Sequence, residues 1–168
     1  PYDGYEWVAK LGRGIAKIRP TNYSQYAIWG KCGNDLRHNE NNWFDISRLK
    51  YNRPASKGGS ATYFGTPVQR SFVTDTMRCY FSFPTVKTLI YKNDINKGKT
   101  PTGGFTDHYV FRLAETYLMR AEAYYWMGNA VGAKNDVNEI RRRAKAPELP
   151  SVTLDDILDE RARELYIE

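Results

Sequence analysis

The clearest pattern of apolar and polar positions lies in the C-terminal part of the chain. Apolar residues recur there at intervals of three and four, which is the spacing of an amphipathic helix. The pattern predicts one helix over residues 111–127 and a second over residues 130–144. Gly128 and Asn129 stand between them, where a helix C-terminal cap is expected. The two helices are therefore predicted to form a hairpin.

A third helix is predicted after Pro147 and Pro150, which cannot continue the second one. Thr153 is in the position of an N-cap, and Asp156 follows three residues later, as in a capping box. Apolar residues then recur at helical spacing without a stop signal. We expect this helix to extend to residue 168 and to pack partly against residues outside the chain.

The first 108 residues have a different composition: Gly and Pro account for 17 of them, against 4 of the last 60. Such a composition predicts loops and short strands. Aromatic and β-branched residues make 81–91 the best candidate strand, and short helices are expected near residues 23–29 and 42–49. We therefore expect a loop-rich region over residues 1–108 and helices over residues 109–168, within one larger domain.

The predicted hairpin also fits a tetratricopeptide repeat, a unit of about 34 residues built from two antiparallel helices. Ala121 and Ala133 are small residues at the two positions where paired helices approach closely, and Gly128 allows the turn. We expect both alanines to lie in or near the helix contact. A single unit cannot bury both of its faces, so stacked neighbours are expected as well.

Three helical segments resemble motifs of one protein family, the SusD/RagB family. Residues 112–123, RLAETYLMRAEA, resemble its RLAE-x-YL-x-RAEA helix. Residues 138–144, NEIRRRA, match its N-x-IR-x-RA helix, and residues 157–165, ILDERAREL, match its I-L-x-ER-x-x-EL helix. Residues 14–23 and 34–38 are also similar to segments of family members. The resemblance is specific because the three helical motifs occur in the family's order.

The resemblance implies a mainly α fold, in which a superhelix of tetratricopeptide-like helix pairs supports a large irregular region with a few short strands and the ligand site. Family members are lipoproteins on the outer face of the outer membrane of Bacteroidetes-type bacteria. They bind glycans, or sometimes peptides, without catalysis and deliver them to a SusC-like TonB-dependent transporter. They are also longer than this chain, so we expect a fragment whose only membrane contact is a lipid anchor outside it.

Aromatic residues are the best signal for a ligand site, because a flat ring can stack on the C–H groups of a sugar while polar neighbours bind its hydroxyls. The aromatic residues of loop-rich sequence near polar side chains are Trp29, Trp43, Phe44, Tyr51, Tyr63 and Phe64. The ligand-binding residues that we predict are Trp29, Trp43, Tyr63, Asn34, Asp35 and Arg37. We expect at least one of the three rings to face an open pocket, and packing is the alternative for each.

Catalytic and metal sites have weak signals. Asp35 and Glu40 could form a glycosidase-like pair of carboxylates, but the simpler interpretation is that Asp35 pairs with Arg37 or caps a turn. Cys32 and Cys79 lack histidines at the spacing of zinc ligands, and they form one disulfide or none. The sequence therefore predicts no enzyme, no metal and no cofactor.

The net charge of +6 is unevenly distributed. Residues 1–108 hold 16 basic and 8 acidic residues, a balance of +8, and residues 109–168 hold 9 and 11, a balance of −2. The cations of the first part are scattered among predicted loops, and the run at residues 141–143 lies on a motif helix, so nucleic-acid binding is not expected. We interpret the charged and amide residues of the helical motifs, such as Arg141 and Glu160, as braces between helices.

These observations favour a non-catalytic glycan-binding protein, with two alternatives of other classes. One is a tetratricopeptide-type adaptor that binds peptides or proteins, which would need at least three stacked repeats and a helical groove. The other is a polysaccharide-degrading enzyme, which would need a pair of carboxylates held in a cleft.

Overall fold

The structure is a computed structural model that describes residues 21–43, 50–68, 85, 87 and 109–166. Over these residues the chain is mainly helical, as predicted, with four α-helices, three short 3-10 helices and isolated β-bridges instead of a sheet. No helix in these ranges is both long and apolar enough to cross a membrane.

The chain forms two compact units. The helical unit combines residues 21–39 with residues 108–168, and the loop unit combines residues 1–20 with residues 40–107. Residues 21–39, which the sequence pattern assigned to the irregular region, therefore belong with the helices.

The helices of the helical unit lie close to their predicted positions. They are α1 Asn22–Gln25, α2 Leu113–Trp126, α3 Ala130–Arg143 and α4 Leu154–Glu164, with 3-10 helices at Ala27–Trp29 and Leu36–His38. The Ala27–Trp29 turn follows α1 directly, so the short helix predicted near residues 23–29 is confirmed in two parts. Of the helix predicted over residues 42–49, residues 44–49 lie outside the described part of the chain.

The turn between α2 and α3 has the predicted glycine cap. Gly128 adopts a left-handed conformation with φ +75°, which a residue with a Cβ rarely adopts. Its N–H donates to the carbonyl of Tyr125 over 3.0 Å, and the N–H of Asn129 donates to Tyr124 over 2.8 Å, as in a Schellman motif. The Asn129 side chain then accepts the N–H of Gly132 and caps the start of α3.

The core of the helical unit lies between α2, α3 and α4. Its buried residues are Ala114, Leu118, Ala121, Val137, Ile140 and Ile157. Ala121 and Ala133 are both fully buried where α2 and α3 pack together, so the predicted close approach of the two helices at small residues is confirmed. Each alanine methyl group that leaves water at such a contact adds to the stability of the hairpin.

The third predicted helix, α4, begins where it was expected to begin but ends before residue 168. Thr153 and Asp156 form a complete capping box. The helix ends at Glu164, four residues before the predicted end at residue 168. Arg112 donates from its guanidinium to the carbonyl oxygen of Glu164, and it thereby satisfies a last-turn carbonyl that no helical N–H reaches. The sequence pattern does not show this contact because Arg112 is far away along the chain.

The described part of the loop unit contains no regular strand. Trp43 and Thr85 form an isolated antiparallel bridge, as do Lys50 and Pro67. Of the strand predicted over residues 81–91, only residues 85 and 87 lie within the described residues. A 3-10 helix at Ala55–Lys57 is the described helix of this unit.

Candidate functional site

Residues 50–67 of the loop unit form a closed loop, which we call the aromatic loop. Lys50 and Pro67 form its antiparallel closing bridge. Just inside the bridge, the Tyr51 N–H donates to the Thr66 carbonyl over 3.0 Å, and the Gly65 N–H donates to the Tyr51 carbonyl over 2.7 Å. These bonds hold the two ends of the loop together, so residues 53–64 project as one turn-rich segment.

Glycine is required at the turn in the middle of the loop. Gly58 follows the 3-10 helix with φ +80°, a conformation that favours glycine. At Gly59, a Cβ atom would lie 1.8 Å from the carbonyl oxygen of Arg53, so a larger residue does not fit. The Gly59 N–H donates to the carbonyl of Pro54 over 3.0 Å and closes the turn.

Three aromatic residues of this loop are partly or largely accessible. The rings of Tyr51 and Tyr63 are 5.6 Å apart between centroids and are tilted by 40°. Tyr63 is 46% exposed and Phe64 is 52% exposed. The N–H and the hydroxyl of Thr66 both donate to the Tyr63 carbonyl, over 2.9 and 2.6 Å, and they fix the backbone under the exposed rings. The loop thus presents aromatic surface on a backbone held by hydrogen bonds.

The aromatic loop also carries Lys50, Arg53 and Lys57, and all three are exposed. None of the described carboxylates forms an ion pair with them. Arg53 donates from Nε to the carbonyl oxygen of Lys57, which positions the guanidinium across the turn. The sequence analysis described these cations as scattered among predicted loops. The signal that identifies them as a cluster is the absence of any Asp or Glu between Asp45 and Asp75.

Trp29, which was predicted to stack on a sugar, lies in the interior of the helical unit. It is 7% exposed, its ring stacks on the His38 ring at a centroid distance of 4.5 Å, and its indole N–H donates to the Ser24 carbonyl over 3.0 Å. The Arg37 guanidinium lies 6.0 Å from the ring centroid. Ligand contact by Trp29 stays a prediction, and the packing gives this ring a structural role.

Of the three polar residues predicted to bind the ligand, Asp35 and Arg37 form hydrogen bonds within the protein. Both carboxylate oxygens of Asp35 bind the Arg37 guanidinium, over 2.9 and 2.6 Å, and Asp35 also accepts the Arg37 backbone N–H and caps the 3-10 helix. Pairing with Arg37 and capping of a turn were the simpler interpretation of Asp35, and both are confirmed. Asn34, by contrast, is exposed.

Arg37 also forms ion pairs with two glutamates near the end of α4. Its Nη1 atom lies 2.7 Å from Glu160 and 2.9 Å from Glu164. Burial favours a lower pKa for Arg37, but its hydrogen bonds to Asp35 and the charge of Glu160 outweigh burial and raise the pKa. Arg37 is therefore a fixed cation that links residues 35–38 to α4.

Glu164 is the centre of a second set of charges. Its carboxylate accepts from Arg112 and from Arg143 as well as from Arg37. Burial favours a higher pKa for Glu164, but the hydrogen bonds from the two other arginines outweigh it and hold the pKa below its usual range. Residues from the start of α2, the end of α3 and the 35–38 turn thus meet at one carboxylate.

Three of the motif residues that were interpreted as braces, Asn138, Arg141 and Glu160, have that role. Arg141 and Glu160, both buried, form an ion pair over 2.9 Å, and Arg163 binds the same Glu160 oxygen over 2.9 Å. Asn138 donates to the Leu149 carbonyl over 2.9 Å and accepts the Leu149 N–H over 2.8 Å. These bonds tie α3 to α4 and to the segment that connects them.

Trp43 and Cys32, two further candidates from the sequence, both lie in the interior. Trp43 is 5% exposed and lies against Thr85 in its bridge. Cys32 is a buried free thiol that donates to the Ile28 carbonyl over 3.4 Å. No group of three or more His, Cys, Asp or Glu side chains in the described part of the chain could hold a metal ion.

An open cavity of about 460 Å³ lies beside α3 in the helical unit. Most of its lining residues are polar or charged, and none is aromatic. In its wall, Arg142 binds both Glu139 and Glu148. This cavity lacks the stacking surface of the aromatic loop.

Comparison with known proteins agrees with the helical motifs. The SusD family model matches residues 8–168. The chain is also similar to the starch-binding protein SusD of Bacteroides thetaiotaomicron, with 42% identity over 84 residues, which are 49% of this chain and 15% of that protein. The matched part thus spans a small share of that relative's length, and no solved structure matches the chain significantly. Because the family model covers nearly the whole chain, the chain belongs to the SusD family.

Proposed function

We propose that the protein binds oligosaccharides without catalysis on the aromatic loop, at the outer face of the outer membrane, and delivers them to a SusC-like TonB-dependent transporter. The observation that carries the proposal is the pair of tilted tyrosine rings, Tyr51 and Tyr63, next to the exposed Phe64. Membership of the SusD family supports it, as does the similarity to a starch-binding protein.

The surface of the aromatic loop suits a sugar in two respects. The π face of Tyr63 or Phe64 can attract the C–H groups on one side of a pyranose ring. The exposed hydroxyls of Ser56, Ser60 and Thr62 stand on the same loop and can exchange hydrogen bonds with sugar hydroxyls. Rings for stacking and a few polar groups for orientation are the usual composition of a small-ligand site.

The charges of the helical unit support a non-catalytic role. A glycosidase needs one carboxyl group that can donate a proton and a second that acts as base or nucleophile. Asp35, one member of the candidate pair, is buried and has both oxygens bound to Arg37. A carboxylate with both oxygens bound to a guanidinium is not available to a substrate.

Calorimetric titration of the chain with a panel of oligosaccharides, malto-oligosaccharides and oligopeptides among them, tests the binding proposal. At least one of the variants Tyr63→Ala and Phe64→Ala should lose about 1 kcal/mol or more of glycan binding free energy, by analogy with measured aromatic pair energies. The matched control is Tyr109→Ala, which removes an exposed tyrosine of the helical unit.

Three results would contradict parts of the proposal. Unchanged glycan affinity in both loop variants would exclude the aromatic loop as the site, and binding of peptides alone would favour the adaptor alternative. Release of reducing sugars from a bound polysaccharide would contradict the non-catalytic role. Delivery is tested separately, by co-purification of the protein with a co-expressed SusC-like transporter.

A further inference from the structure

The cations of the aromatic loop differ from most described arginines of the helical unit in lacking a described carboxylate partner. Lys50, Arg53 and Lys57 lie within residues 50–67, a segment without any Asp or Glu. In the helical unit, even the largely exposed Arg120 and Arg142 have carboxylate partners, in Asp136 and in Glu139 and Glu148. The three loop cations have no carboxylate partner among the described residues, so their positive charge is uncompensated within that part of the chain.

This charge is not required by the fold of the loop. The backbone bonds at Tyr51, Gly59 and Gly65 close the loop without any contribution from an ammonium group. Three like charges on one short segment repel each other, which slightly opposes compaction. A cationic surface with fixed polar and aromatic groups does, however, attract anions and raise their local concentration. The ammonium groups of Lys50 and Lys57 are therefore not needed to close the loop and are available to attract an anion.

Arg53 is the best-positioned of the three cations. Its Nε atom donates to the Lys57 carbonyl, and its Nη2 atom lies 3.3 Å from the position that a Cβ of Gly58 would occupy. The guanidinium is thus held against the turn, while the residue remains exposed. An arginine that is fixed before binding loses less conformational freedom per hydrogen bond, and its planar group matches the oxygens of a carboxylate or a sulfate.

We propose that the aromatic loop recognises acidic glycans, in which a sugar ring carries a carboxylate or a sulfate ester. Tyr63 and Phe64 stack on the pyranose, and Arg53, with Lys50 and Lys57 beside it, binds the anionic group. This inference rests on the proposed function and specifies its ligand class. Carboxylated and sulfated sugars offer the same chemistry to a guanidinium, so the experiment below includes both.

The test compares glycans that differ only in charge. Polygalacturonate is paired with its methyl-esterified form, and dextran sulfate is paired with dextran, in affinity electrophoresis of the whole chain. We expect at least one acidic member to bind about tenfold more tightly than its neutral counterpart, as a charge-assisted hydrogen bond allows. Binding should weaken as ionic strength rises from about 0.15 M to about 1 M, because the screening length falls from about 8 Å to about 3 Å.

Variants assign the effect to the loop. Arg53→Gln and Lys57→Gln should lower affinity for the acidic glycan about tenfold and leave binding of the neutral one unchanged. Lys145→Gln, which removes an exposed cation of the helical unit, is the matched control and should change neither. Tyr63→Ala should weaken binding of the acidic glycan as well. Circular dichroism spectra should be the same for all variants.

The possible failures are distinguishable. If neutral glycans bind as tightly as their acidic counterparts and Arg53→Gln has no effect, the ligand class is wrong and the proposed function stands. If polyglutamate, which has charge but no sugar ring, competes as well as the acidic glycan and Tyr63→Ala has no effect, the loop attracts polyanions generally and this inference is wrong. If no glycan of either kind binds, the proposed function itself fails.

Discussion

The helical unit and the aromatic loop use the same residue types in opposite ways. In the helical unit, Arg37, Arg141 and Arg163 converge on the buried Glu160, and the ring of Trp29 packs against His38. In the aromatic loop, arginine and lysine have no described carboxylate partner, and the ring of Tyr63 is 46% exposed.

The comparison separates side chains that fold the chain from those that are free to bind. A buried charge without a partner is costly, so the buried arginines Arg141 and Arg163 both pair with the buried Glu160. An exposed cation has no such requirement, and an exposed ring face can contact a ligand. A candidate binding residue is therefore distinguished from a brace by its exposure and by its lack of an ion-pair partner, more than by its residue type.

The largest expected effect is on stability, at the buried charges of α4. Glu160→Gln removes the anion that faces three arginines and should lower the free energy of unfolding by about 3–5 kcal/mol. Glu139→Gln, at an exposed ion pair with Arg142, should cost less than about 1 kcal/mol. Urea unfolding followed by circular dichroism measures both, and equal losses would contradict the distinction between buried and exposed pairs.

A comparable loss is expected for the interior tryptophan. Trp29→Ala removes a buried ring with its stacking partner and its indole hydrogen bond, and it should destabilise the helical unit by about 3–5 kcal/mol. Glycan affinity of the protein that remains folded should not change. Titration at a temperature well below the unfolding midpoint checks this, and a stable variant with weakened binding would instead place the ligand at Trp29.

A smaller effect is expected from pH, through Glu164. The folded-state pKa of Glu164 lies below its ordinary value of 4.5, so its contribution to stability is complete above that value and is lost as pH falls through the folded-state pKa. The stability difference between the parent chain and Glu164→Gln should therefore shrink on acidification below about pH 4.5. Denaturant melts from neutral to acidic pH measure it. A difference that is constant with pH would show that Glu164 is not held as an anion by its arginines.

A small stability effect is expected in the loop. Tyr63→Ala removes the ring contact with Tyr51 and should lower the free energy of unfolding by about 0.5–1.5 kcal/mol, the size of an aromatic pair. The same variant should lose glycan affinity, which is the reverse of the behaviour expected for Trp29→Ala. A large loss of stability in Tyr63→Ala would mean that this ring is packed and would remove the contrast.

The sequence predicts the helical unit better than the candidate site. The bounds of α2 and α3, the Gly128 cap and the Thr153 capping box depend on residues a few positions apart, so a local pattern is sufficient to find them. The end of α4 was misplaced because its last carbonyl is satisfied by Arg112, a residue from the start of α2.

Site residues were harder to predict because their use depends on contacts that are distant in sequence. Trp29 and Tyr63 both stand in loop-rich sequence near polar residues, and only the structure shows that one is stacked inside and the other exposed. Asp35 is a partial exception, since its pairing with Arg37 is local and was one of the sequence interpretations. The positive loop could have been recognised from the acid-free stretch between Asp45 and Asp75.

The most direct test of the central claim is a backbone NMR titration of the chain with an oligosaccharide that binds it. The account predicts that the largest chemical-shift changes lie at amides of residues 50–67, around Tyr63 and Phe64, and that residues 27–38 of the helical unit shift little. Changes centred on Trp29, Asp35 and Arg37, with the loop amides unmoved, would contradict the assignment of folding to one region and binding to the other.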